Sequence, residues 1–126
     1  MRNITVNGKN IPVDSRGATV IVYMEEFGRD ILQDAMRFLA NTSASRPDVS
    51  LISRITYAYI KTANEDIYKN YRIFMDSFKS IQPFIDQDNM KAILEETYDL
   101  LGIDTEKSEE DEKTQKKRGR RKATSS

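Results

Sequence analysis

Ile4-Thr5-Val6-Asn7-Gly8-Lys9-Asn10-Ile11-Pro12-Val13 decides how the chain begins, because two short alternating runs flank an Asn-Gly pair. A type I′ turn needs positive φ at both central residues, and Asn-Gly meets that need at the least steric cost. The register is set by the turn. Val6 faces Lys9, Thr5 faces Asn10, Ile4 faces Ile11 and Asn3 faces Pro12, so Ile4, Val6, Ile11 and Val13 project from one side. Pro12 falls at a non-hydrogen-bonded position, where its missing N–H costs the ladder nothing. A lone hairpin is marginal in water, so its apolar side must rest on the helices that come after it.

Beyond Gly17 the apolar period becomes helical. Val20, Tyr23, Met24 and Phe27 recur at i, i+3, i+4 and i+7, and Gly28 is placed to end that helix in the left-handed region. A second helix starts at Arg29 or Asp30 with the stripe Leu32, Ala35, Met36 and Leu39, and with Ile31 and Phe38 beside it. Asn41 to Pro47 reads as a polar loop of small residues. Asp48 or Ser50 caps a third helix carrying Leu51, Ile52, Ile55, Ala58, Tyr59 and Thr62. A fourth is expected from Asn64, with Ile67, Tyr71, Phe74, Met75 and Phe78 inward, and Pro83 interrupts the run after Ile81. The segment from Asp86 to Asn89 starts a fifth, with Met90, Ile93, Leu94, Thr97, Tyr98 and Leu101 inward and Gly102 at its end. The predicted fold class is α+β, mostly α: an N-terminal β-hairpin followed by about five helices.

From Asp104 to Ser126 there is no Ile, Leu, Val, Met, Phe, Tyr or Trp. Such a stretch has nothing to bury against an ordering cost of roughly 1–2 kcal/mol per residue. A single small domain over 1–103 and a disordered charged tail over 104–126 are therefore expected. The 126 residues carry 20 basic and 20 acidic side chains, a net charge of zero that hides an asymmetry. The body holds 12 basic and 14 acidic residues, a charge of −2, and the tail is +2. Within the tail, Glu106 to Glu112 is acidic, while Lys116, Lys117, Arg118, Arg120, Arg121 and Lys122 form a basic cluster around Gly119.

Histidine and cysteine are both absent, which removes the commonest general base, the thiol nucleophile, disulfides and every Cys/His zinc site. The five glycines match neither a dinucleotide-binding fingerprint nor a phosphate loop. Glu25-Glu26, Glu65-Asp66 and Glu95-Glu96 are sequence neighbours, which on a helix point about 100° apart and suit solvated faces better than a shared metal or an acid/base pair. No enzyme, metal or cofactor is expected. No apolar run approaches a membrane span of about 20 residues, and Met1-Arg2-Asn3-Ile4-Thr5 lacks a signal-peptide core, so a soluble intracellular protein is expected. Tyr57 and Tyr68 fall off the apolar stripes of helices three and four, which makes them candidate exposed partner contacts. Arg118-Gly119-Arg120 has the centre of a minor-groove hook without its flanking prolines, so the basic cluster is a candidate contact either for nucleic acid or for an acidic protein.

The order of elements resembles a known family. The opening Ile4-Thr5-Val6-Asn7-Gly8-Lys9, a second short strand and a helix with Met24-Glu25-Glu26-Phe27-Gly28-Arg29-Asp30-Ile31 resemble the tail assembly chaperones of long-tailed (siphovirus-type) bacteriophages. The resemblance continues through the third helix, the acidic Glu65-Asp66, the ending Leu100-Leu101-Gly102 and the Lys/Glu-rich C-terminus. The interval 72–90, with Phe74, Phe78, Ile81 and Phe84, is more apolar than that pattern. The resemblance implies a non-enzymatic protein that binds the tape-measure protein and helps recruit tail-tube subunits. It also implies action in the cytoplasm of the bacterial host, absence from the finished virion and possible homo-oligomers. The alternative is a small nucleic-acid-binding or other phage assembly protein that uses the basic tail.

Overall fold

The computed structural model describes residues 1–41 and 46–103; the predicted tail and most of the predicted 41–47 loop lie outside the described residues. Strands β1 (Arg2–Val6) and β2 (Lys9–Val13) form an antiparallel hairpin in the register that the turn dictates, from Val6 opposite Lys9 to Arg2 opposite Val13. Asn7 and Gly8 take φ of 52° and 78°, the two positive values of a type I′ turn. Ile4, Val6, Ile11 and Val13 are all buried on one face.

Two-residue hairpins alternate bonded and non-bonded pairs, so the N–H and C=O of Thr5 and the C=O of Pro12 point away from the ladder. Each edge carries an obstacle to a further strand. The Asn89 side chain accepts from Thr5 N–H at 2.8 Å and donates to Thr5 C=O at 2.8 Å, which mimics a third strand, while Pro12 has no N–H to offer a newcomer.

Six helices follow among the described residues: α1 (Gly17–Phe27), α2 (Ile31–Ala40), α3 (Val49–Ala63), α4 (Tyr71–Asp76), α5 (Gln82–Ile85) and α6 (Gln87–Leu100). Their ends obey local chemistry. Asp30, Asp48, Asn70 and Asp86 each accept a backbone N–H of the first turn of α2, α3, α4 and α6. Gly28, at φ 63°, ends α1. After α6, Gly102 N–H bonds Asp99 C=O and Ile103 N–H bonds Tyr98 C=O, the paired closure that a left-handed glycine permits.

Helix α3 is the axis of the fold. It packs against β2 and all five other helices, and from Leu51 to Ile60 only Arg54 is not fully buried. The hairpin lies on α3 and α6, with Asp14 N–H reaching Tyr59 C=O at 3.1 Å. An aromatic layer fills the other side: Phe27 packs edge-on to Tyr71 (4.9 Å), Phe74 to Phe78 (4.9 Å), and Phe78 lies 4.5 Å from Phe84. The aromatic residues of the apolar interval 72–90 are thus core.

Four expectations are corrected. Asn64 does not start a helix; it closes α3, its N–H on Ile60 C=O, and its side chain turns the chain by accepting from Asp66 N–H. The start moves to Asn70 because Lys61 Nζ holds the carbonyls of Tyr68 and Lys69 in a loop. Helix α2 is rotated from the expected stripe: Ile31, Asp34, Ala35 and Phe38 are buried, whereas Leu32 and Met36 are 44% and 58% exposed. On α1, Thr19 and Tyr23 are buried and Met24 faces out with Ile21. Pro83 does not simply break the chain but sits in the first turn of α5, where no N–H is needed.

Candidate partner-binding groove

A groove of about 420 Å³ runs between the end of α2, the start of α3, α5 and the first half of α6. Local sequence builds each wall. Pro47 precedes the helix, and Asp48 caps it by accepting from Leu51 N–H at 3.1 Å, which sets Leu51 and Ile52 along one side. Asp86 caps α6 by accepting from Asn89 N–H at 2.9 Å, so that Met90 and Leu94, one turn apart, form the opposite side with Lys91 at the rim. Phe38 and Ile85 complete the apolar lining.

Its two rim charges are not equivalent. Asp48 is committed to its cap and lies 3.8 Å from Arg37. Lys91 is exposed and has no hydrogen-bond or ion-pair partner among the described residues. Behind Ile52 and Met90, which also line the groove, the Thr56 hydroxyl is buried beside Ile4, Phe84 and Ile93 without a hydrogen-bond partner among the described residues.

A second polar centre lies on the far side of α2. Asp34 is fully buried, yet its carboxylate is met on several sides: Arg29 donates at 2.7 and 2.9 Å, Tyr23 Oη donates at 2.5 Å, and Arg54 lies 3.8 Å away. Those donors hold the carboxyl down at about 2, Arg29 contributing most, while burial and then Asp34 push the Tyr23 phenol up. With its lone pairs satisfied by its own chain, the carboxylate ties α1, α2 and α3 together and offers no open position to a ligand.

Tyr57 is not an exposed contact. It is 1% exposed, edge-on to Tyr71, and its hydroxyl donates to Glu26 at 2.8 Å. Burial, and then that carboxylate, push its phenol up. Its off-stripe position misleads because α3 is covered on every side. Tyr68 is half-buried in the connection between α3 and α4, its ring 5.0 Å from Phe74. The structure therefore does not bring these two together as a surface patch. Lys116, Lys117, Arg118, Arg120, Arg121 and Lys122 lie outside the described residues.

Among the described residues, no group of three or more acidic side chains is placed to hold a metal ion, and no helix is long and apolar enough to cross a membrane. Comparison with protein-family models, with curated proteins and with solved structures finds no match to this chain.

Proposed function

We propose that this protein is a non-enzymatic tail assembly chaperone of a long-tailed bacteriophage, one that binds the tape-measure protein and assists assembly of the tail tube. The observation that carries the reading is the apolar groove, open at the surface and walled by helices, which is the form that receives an amphipathic helix from a partner. A long helical chain awaiting assembly exposes apolar stripes. A small domain that covers them through modest, charge-rimmed contacts keeps the chain soluble and releases it when a stronger partner arrives. The resemblance supplies the identity of that chain, the host cytoplasm as the place of action and absence from the finished particle.

The test is co-expression with the tape-measure protein of the same genome. The expected outcome is that the tape-measure protein stays soluble and co-purifies only when this chain is present, and that mass spectrometry of finished particles detects none of it. A tape-measure protein whose solubility is unchanged, with no co-purification, would refute the reading.

A further inference from the structure

We propose that the groove takes an amphipathic α-helix of a different chain, and that Lys91 selects helices bearing a carboxylate beside their apolar stripe. This rests on reading the protein as a binder of helical chains; it adds what the bound helix must look like.

Residues 42–45 are Thr-Ser-Ala-Ser, and 104–126 contain no large apolar side chain, so neither offers anything to an apolar lining. An extended segment is disfavoured as the occupant, because a strand binds by adding to a sheet edge and no strand residue lines the groove. A helix fits. The walls are themselves helical, with Met90 and Leu94 forming an i, i+4 ridge against which a second ridge can interdigitate.

Charge then narrows the occupant. Asp48 is already engaged by its own helix and by Arg37, whereas Lys91 stands at the rim unpaired among the described residues. When the groove closes over an apolar stripe, the ammonium loses part of its hydration, and a carboxylate flanking that stripe compensates the loss.

The test uses the full-length protein and two synthetic 18-residue helical peptides with the same leucine stripe, one flanked by Glu and the other by Lys. Fluorescence anisotropy at low salt is expected to show the Glu-flanked peptide binding about fivefold more tightly, and Lys91→Glu to reverse that order. Backbone amide shifts should move at Leu51, Met90 and Leu94, and Leu94→Asp should abolish binding of both peptides. Lys91 is a surface residue, so its variant keeps the test decisive even if Leu94→Asp fails to fold. Equal affinities that Lys91→Glu leaves equal, or shift changes away from the groove, would overturn the proposal. So would sedimentation showing a wild-type oligomer that Lys91→Glu dissociates, because the groove would then hold a second copy. Should the charge order reverse while the tape-measure protein neither binds nor gains solubility, the groove rule stands and the identity of the partner falls. The opposite pair of results removes the rule and keeps the partner.

Discussion

Asp34 shows how one buried side chain sets the packing of its neighbours. Its carboxyl titrates at about 2 against an ordinary 3.8, first because Arg29 donates to both oxygens. Since the folded value is the lower one, the unfolded chain takes up the proton first as pH falls. The stabilisation, about 2 kcal/mol, is complete above about pH 5 and is lost as pH drops through about 4 towards 2. Asp34→Asn should cost about 3 kcal/mol at neutral pH and flatten that acid limb, as urea denaturation across pH will show. Thr56 gives the opposite sign. Its hydroxyl is buried without a partner among the described residues, so Thr56→Val, which keeps the branched shape, is expected to stabilise by about 1 kcal/mol, raising the urea midpoint with the slope unchanged.

Among the elements, the hairpin is held to α6 through the amide of Asn89. It makes two bonds to Thr5 and one of 3.0 Å to Pro83 C=O. Asn89→Ala should lower stability by about 2–3 kcal/mol and speed hydrogen exchange at the Thr5 amide more than at any amide of α3. Gly28 has open space around it but sits at φ 63°, so Gly28→Ala should cost only the conformational term, about 1 kcal/mol, measurable as a small shift in thermal midpoint. The hairpin register, a cap at Asp48 or Ser50, a helix start within Asp86 to Asn89 and the glycine stops were legible because each is decided within a few residues. The phase of α2 was not. That helix has two apolar stripes, Ile31-Ala35-Phe38 and Leu32-Met36-Leu39, and the choice between them falls to Asp34 through partners on α1 and α3. Tyr57 was misread, although a signal existed: from Leu51 to Ile60 apolar residues occur on every face of α3, the mark of a helix enclosed by others. The groove had no local signature at all, since its walls come from four helices spread over residues 38–94.

At the level of the whole molecule, the last fully buried apolar side chain among the described residues is Ile93, and no large apolar residue after Ile103 could add to that core. Ending the chain at Ile103 should therefore leave the stability within about 0.5 kcal/mol of the full-length value, checked by urea denaturation of both forms. The same truncation should leave the peptide preference at Lys91 intact. The first strand is joined to the last helix: Arg2 bridges to Glu96 and, at 2.5 Å, to Asp99, its guanidinium pushed up by those carboxylates, Asp99 foremost, and Asn89 clamps Thr5. On the ribosome this reverses the order of making and finishing. At roughly 5–20 residues per second, the hairpin emerges several seconds before α6 exists to receive it. During that interval Ile4, Val6, Ile11 and Val13 have no helix α6 beside them, so the hairpin, although made before α6, waits for it to be secured, and a nascent chain stalled before Asn89 leaves its strand edge open to any passing partner.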